Sequence, residues 1–340
     1  MRVISLGSGS TGNALLIEAG PQRRTRLLID AGLSLHTITT RLLSVGVSPA
    51  QLQAILVTHE HSDHVQGISA LTKRFGLSIV TEPRTYAAIE EGLASGIWHS
   101  DSGKLVSAQA EPPIDINYRA NNRGDSDAAI SLAHEDEHAK QESSVTTGPH
   151  PQGALPPVMP LPLGSRRMIG DIEVQSFPAS HDAVAPAGYL LSAGGCRMCI
   201  VTDSGEVTPE MLTYIRHADL LILESNYDRQ RLLRGPYPQV LKQRIISPTG
   251  HLSNDQAAEA VLKTWRPEGV RWLWLAHLSR TNNTPTIALQ TMRTRLQEAG
   301  VNAAYIHISA LPPAMGHIWD STQLWHAPSL WTMIPNQSGN

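Results

Sequence analysis

Apolar and polar positions in the first hundred residues alternate between two periods. Arg2–Leu6, Ala14–Glu18 and Arg26–Asp30 are short apolar-rich runs parted by turn residues, which predicts three strands. Ser34 stands where it can cap a helix running through Leu43, and Gly46 ends it. Ser48-Pro49 pairs an N-cap with proline at the first helical position. A strand over 53–57 follows, then a polar loop, then a helical pattern from Val65 to Phe75.

From about Trp98 to Ser165 the periodicity fails. Glu111-Pro112-Pro113, Asn121-Asn122, Gly148-Pro149-His150-Pro151 and Pro156-Pro157 punctuate this stretch, which predicts a long, partly disordered surface insertion over 97–167. Order is expected to return at Met168–Phe177, with strands at Ala187–Ser192 and Arg197–Thr202. Thr208-Pro209 opens a short helix, and Leu220–Glu224 reads as a strand buried on both faces. Ser253 with Gln256 forms a capping box. Val270–Ala276 is another strand, and Thr284-Pro285 opens a helix that runs to Gly300.

Strands and helices alternate with short links, so the class is α/β, with a main domain over 1–310 that contains the insertion. The remaining 311–340 is a tail with Pro312, Pro313, Trp319, Trp325 and Trp331, whose rings are expected to pack on the main body.

Composition changes this picture in two places. The net charge of −3 over 340 residues is uneven: residues 101–165 hold nine acids against four bases, so an acidic ligand meets the remainder more readily. Two cysteines exclude a disulfide framework and suit a reducing compartment, the cytoplasm. Cys196 and Cys199 form a C-x-x-C, yet their odd spacing within a strand sends them to opposite faces, which favours a structural role. Met1–Gly7 reaches Gly and Ser before an apolar signal segment can form, and no apolar run approaches the ~18 residues of a membrane span. His134-Glu135-Asp136-Glu137-His138, inside the insertion, reads as a solvated charged loop.

The chemistry concentrates in Thr58-His59-Glu60-His61-Ser62-Asp63-His64, directly after a strand. Three imidazoles and the Asp63 carboxylate supply the nitrogen and oxygen donors that zinc or manganese accepts. In an extended segment alternate side chains share a face, so His59, His61 and Asp63 are expected to converge while His64 begins the next turn. A dinuclear centre needs further ligands, and three predicted strand ends offer them: His181, Asp203 and His277.

The H-x-H-x-D-H string with separate His, Asp and His at strand ends resembles the metallo-β-lactamase superfamily. Ser8-Gly9-Ser10-Thr11-Gly12-Asn13, Leu28-Ile29-Asp30-Ala31-Gly32, Leu223-Glu224-Ser225-Asn226, Gly250-His251-Leu252-Ser253-Asn254 and Ala276-His277-Leu278-Ser279 are similar to its YycJ/WalJ-type branch. The resemblance covers roughly 1–96 and 166–310. It implies an αββα sandwich with the site on one rim, and an enzyme of nuclease type, an exonuclease on DNA being the usual assignment. It also implies two divalent ions: one held by His59, His61 and His181, the other by Asp63, His64 and His277, with Asp203 bridging. Zinc is the first choice from the histidine count, and manganese suits a set without sulfur.

On that reading a metal-bridging hydroxide attacks a phosphodiester, and Asp63 orients the bridging water or accepts the proton that it loses in forming that hydroxide. His251 contacts the phosphate or protonates the leaving oxygen, with Glu224 holding its ring. Ser8 and Asn13 near the rim, and Asn282 and Asn283 after His277, are candidates for substrate contact. Arg229, Arg231, Arg234, Lys242 and Arg244, with Tyr227 and Tyr237 among them and no acid between Arg229 and Arg244, suit phosphate tracking and base stacking by nucleic acid. Two alternatives stand beside this. One is a thioester hydrolase of glyoxalase II type; the other is a metal-stabilised nucleic-acid-binding protein without turnover.

Overall fold

Backbone pairing sorts the chain into two mixed sheets. The structure, a computed structural model, describes residues 1–99, 105–107, 157–267 and 270–326. The first sheet begins with β1 (Arg2–Gly7), β2 (Ala14–Ala19), β3 (Thr25–Ile29), β4 (Ala54–Leu56) and β5 (Ser78–Thr81). β6 (Ile97–His99) and β7 (Leu105–Ser107) form a separate antiparallel pair, and β8 (Val158–Pro160) adds a parallel edge to β5. The second sheet runs in chain order through β9 (Arg166–Ile169), β10 (Ile172–Pro178), β11 (Ala187–Ala193), β12 (Cys196–Val201), β13 (Leu220–Glu224), β14 (Arg271–Ala276) and β15 (Ile306–Ala310). β16 (Ile318–Asp320) then crosses back to pair antiparallel with β1.

Four helices accompany the first sheet: α1 (Leu35–Ser44), α2 (Ser62–Val65), α3 (Ile68–Phe75) and α4 (Pro83–Ser95). Five follow among the strands of the second: α5 (Pro209–Ile215), α6 (Arg229–Arg234), α7 (Gln239–Ile246), α8 (Asn254–Lys263) and α9 (Pro285–Glu298). A final short turn of helix is α10 (Gln323–His326). Among the described residues no helix is long and apolar enough to cross a membrane.

The pleat explains the layering. Along β12, β13 and β14 one set of side chains (Met198, Ile200, Leu220, Ile222, Trp272 and Trp274) packs between the sheets against Val3, Ile17, Leu27 and Leu56. The alternate set (Cys199, Val201, Leu221, Leu223, Leu273 and Leu275) packs with Met211 of α5, Val261 of α8, and Met292 and Leu296 of α9. Strands covered on both faces read as unbroken apolar runs, which is how they stand in the sequence. A one-residue slip of β13 would exchange its two faces, and burial of each such side chain contributes about 1.5–3 kcal/mol, so register is strongly fixed. On the far side, α1 buries Leu35, Ile38 and Leu42 and contacts β1 and α3. The fold is the αββα sandwich that the resemblance implies. Cys196 and Cys199 are free and buried in these two different layers, as their odd spacing requires.

Local signals place most boundaries. Ser34, Thr208, Ser253 and Thr284 each accept a backbone N–H at a helix start, and Ser253 and Gln256 close the expected capping box. Three expectations need correction. Met168–Phe177 is not one strand: Gly170, at φ +55°, turns the chain between β9 and β10, and a Cβ there would lie 2.3 Å from Thr25 Oγ1. The helix expected from Val65 begins earlier, at Ser62, and breaks before Ile68. Regular structure resumes at Val158, ten residues before the strand expected at Met168; three-residue edge strands are too short to show a period. The rest of 97–167, its His134–His138 run included, lies for the most part outside the described residues, as does Trp331. Trp319, on β16, is 1 % exposed and sits edge-on to Trp272 at 6.1 Å.

Candidate metal centre

Register alone brings half of the site together. β12, β13 and β14 are parallel, with Val201 level with Leu223, Leu223 with Leu275, and Glu224 with Ala276. The residues just beyond these ends, Asp203 and His277, therefore emerge beside Glu224, at the carboxyl ends where open α/β sheets place their sites. On the first sheet Asp30 follows β3, and Asp30 N donates to Leu56 O at the end of β4. Asp30, Asp203 and His277 all have left-handed φ, at 58°, 57° and 52°. Such a backbone costs of order 1–3 kcal/mol per residue and persists only where the surroundings enforce it.

The H-x-H-x-D-H loop leaves the extended conformation sooner than expected. His61 is the N-cap of α2, with φ −65° and ψ 149°, so Asp63 and His64 lie on the first helical turn. His59, His61 and Asp63 therefore do not share one face. His59 and His61 meet His181, whereas Asp63 and His64 meet His277. Asp203 touches both groups: it clusters with His59 of the first and His64 of the second, its Oδ2 lying 3.1 Å from His64 Nε2, and its Oδ1 stands 3.1 Å from His277 Nδ1. Within each group the candidate ligand atoms lie within 4.8 Å of one another, and all seven residues are at most 6 % exposed.

These donors fit a cation. His61 Nδ1 and His181 Nε2 stand 3.3 Å apart, two ring nitrogens that a positive charge between them would reconcile. His59 Nε2 and Asp63 Oδ1 are buried with no hydrogen-bond partner among the described residues, a costly state for isolated polar atoms. Burial pushes the Asp63 and Asp203 carboxyls up, but the facing His64 and His277 outweigh it and hold both well below the usual carboxylate range. Burial, with His64 and His61 nearby, lowers His59 well below the ordinary histidine range, leaving it the neutral ligand form.

Two buried carboxylates orient the rings. His64 Nδ1 donates to Asp30 Oδ2 at 2.8 Å, and Asp30 also accepts from Thr58 N and Oγ1. Glu224, fully buried, is the counterpart on the other side. Its Oε1 accepts from His251 Nδ1 at 2.7 Å and His277 Nδ1 at 3.0 Å, while Oε2 accepts from Ser204 N and Leu252 N. Burial raises the Glu224 carboxyl, but the His251 charge and the two ring hydrogen bonds hold it below its ordinary value. His181 Nδ1 donates to Gly250 O at 2.9 Å. Asp30 is the residue that sequence reasoning left without a role. It stands in the quoted Leu28–Gly32 motif, but its function shows only once β3 is known to neighbour β4.

The four candidate substrate residues are placed less alike. Ser8 Oγ accepts from His277 N at 2.9 Å. Asn13 Nδ2 faces Asp63 Oδ2 at 3.4 Å and His64 Nε2 at 3.1 Å. Both therefore brace the ligand loops. Gly32 allows this packing, since a Cβ there would lie 1.5 Å from Asp63 O. Asn283 is occupied by Ser225 O, Asn226 O, Asn254 and Thr284 N. Asn282 is buried, and neither of its side-chain amide atoms has a hydrogen-bond partner among the described residues.

Residues 7–251 match the family profile described as the Metallo-beta-lactamase superfamily. The chain is 32 % identical over 294 residues to "Exodeoxyribonuclease WalJ" of Streptococcus pneumoniae, covering 86 % of this chain and 87 % of that protein. It is 29 % identical over 295 residues to "Exodeoxyribonuclease YycJ" of Bacillus anthracis, covering 87 % and 89 %. Among solved structures it is similar to the metallo-beta-lactamase fold protein YhfI of Bacillus subtilis, with a TM-score of 0.55 at 17 % identity over 94 % of this chain and 98 % of that one.

Proposed function

The chain belongs to the metallo-beta-lactamase superfamily, in the WalJ/YycJ branch, and is a metal-dependent hydrolase; on that premise we propose that it is a cytoplasmic, dinuclear nuclease acting exonucleolytically on DNA. His59, His61 and His181 would hold one ion and Asp63, His64 and His277 the other, with Asp203 available to both. Zinc is the first choice and manganese the second. Bound there, the ions supply an activated water and positive charge for a phosphodiester. The single observation that carries this reading is the joining of two buried donor groups by one carboxylate, Asp203, at the ends of parallel strands.

The chain's own groups divide the remaining work. Asp63 Oδ1, buried and without a hydrogen-bond partner among the described residues, would accept a hydrogen bond from the attacking water and hold its lone pair towards the phosphorus. His251 gives Nδ1–H to Glu224, so Nε2 is the nitrogen that passes a proton to the leaving oxygen. Ser8 and Asn13 keep His277, Asp63 and His64 in place rather than touching substrate.

The test is a panel of 5′- and 3′-labelled single- and double-stranded DNA and RNA with Zn²⁺ or Mn²⁺. Asp63→Ala and His251→Ala run alongside. Release of mononucleotides from DNA, lost in both variants while His251→Ala keeps its metal, is the expected result. Full activity of Asp63→Ala contradicts the mechanism. Turnover of a thioester with none of any nucleic acid replaces the nuclease with the glyoxalase II-like alternative, and strand binding without release of nucleotides makes it a non-catalytic binder.

A further inference from the structure

Between Glu224 and His251 the chain builds a small helical hairpin, α6 and α7, with its own apolar centre of Tyr227, Leu232 and Ile245. It leans on the loops that carry His181, His251 and His277. Arg244 pairs with Asp182 at 2.6 Å, one residue after His181. His251 N donates to Ile245 O at 2.9 Å, and Asp228 N to Asn282 O at 2.9 Å, in the turn that follows His277.

Of the five cations that the sequence groups here, two are turned inward. Lys242 is buried and donates to Leu233 O at 2.8 Å at the end of α6, and Arg244 is held by Asp182. Arg229, Arg231 and Arg234 stay exposed and form no ion pair among the described residues. Arg280, three residues beyond His277, is a fourth of the same kind, and Arg231 reaches the same turn by donating to Thr281 O at 3.4 Å. Elsewhere Arg23, Arg24, Arg84, Arg166 and Arg295 each face a carboxylate, while Arg74, Arg216 and Arg293 are exposed without an ion pair among the described residues, so the hairpin is set apart by the clustering of its cations beside the histidine loops. The same hairpin exposes apolar side chains among its cations, Leu233 at 48 % and Val240 at 78 %, with Tyr237 partly covered beside them.

Resting on the nuclease reading, we propose that α6, α7 and Arg280 form a grip for single-stranded nucleic acid, holding phosphates beyond the scissile bond beside His181, His251 and His277. Unpaired guanidinium groups bind backbone phosphates, and exposed Leu233 and Val240 take the faces of unstacked bases. A duplex offers no free base faces to Leu233 and Val240. An acidic peptide would use the cations and leave the apolar side chains unmatched.

The test combines Arg229→Gln, Arg231→Gln, Arg234→Gln and Arg280→Gln in the full chain. Binding of a fluorescent oligothymidylate is read by anisotropy in the Asp63→Ala background, which keeps the strand whole. Affinity should fall at least about tenfold at low salt, and the slope of log affinity against log salt should become shallower by about three, near 0.7 for each lost contact to a single strand. Hydrolysis of bis(p-nitrophenyl) phosphate by the otherwise wild-type protein should stay unchanged. Unaltered strand affinity, an equal loss on the small diester, or polyglutamate competing as well as the strand overturns the proposal. If the wild-type protein cuts no nucleic acid while these variants still lose strand binding, the nuclease reading fails and the grip stands.

Discussion

The two halves of the candidate centre are built by the same device with unequal consequences. In the first, the Asp30 side chain crosses from β3 to fix one ring, His64, and its other hydrogen bonds go to Thr58. In the second, Glu224 at the end of β13 fixes two rings at once, His251 and His277, and the backbone of both neighbouring loops through Ser204 N and Leu252 N. A ligand brace in one half is a ligand brace plus an orienting group for the proposed acid in the other. Position in the sheet accounts for this. Asp30 lies beyond the end of its strand and reaches one loop, whereas Glu224 is the last residue of a strand with parallel neighbours on both sides.

That contrast can be broken by substitution. The largest effect belongs to Asp203→Ala, which touches both halves: metal content measured by inductively coupled plasma mass spectrometry and turnover should both be lost. Next is Glu224→Gln. It keeps the shape but removes the charge facing two imidazoles, so turnover should fall by about 10²–10⁴-fold, the contribution of a well-placed acid, and excess metal should not restore it. Asp30→Asn should weaken metal binding by about 10–100-fold, the usual effect of losing a group behind a ligand. Here saturating Zn²⁺ or Mn²⁺ should recover most of the turnover, since His251 is untouched. Equal responses of Glu224→Gln and Asp30→Asn to added metal would erase the difference between the halves. The smallest effect is expected at Cys199, whose thiol burial pushes up to about 12. It should resist iodoacetamide in the native protein, and Cys199→Ala should cost about 0.5–3 kcal/mol in a denaturant melt with turnover unchanged.

Much of this arrangement is legible in the sequence where chemistry and local signals coincide. The histidine loop directly follows a strand, and Asp203 and His277 stand just past strands whose apolar runs are unmistakable, while His181 follows the alternating β10. What stays hidden depends on neighbours distant in sequence. Asp30 acquires a role only through its hydrogen bonds across to Thr58 and His64. Asp63 is misassigned by an alternation argument because His61 caps a helix, which no two-residue period can reveal. β8 and β16, at three residues each, fall below any periodic signal. The basic stretch is legible as composition but not as surface. Lys242 and Arg244 are taken up by Leu233 O and Asp182, while Arg280 joins from a separate segment.

The most direct test of the seven-residue, two-ion centre is anomalous diffraction from crystals of zinc-loaded protein, collected at the zinc edge. Two peaks are expected, one among His59, His61, His181 and Asp203 and one among Asp63, His64, His277 and Asp203. One peak alone, or none in a protein that takes up no zinc, would contradict it.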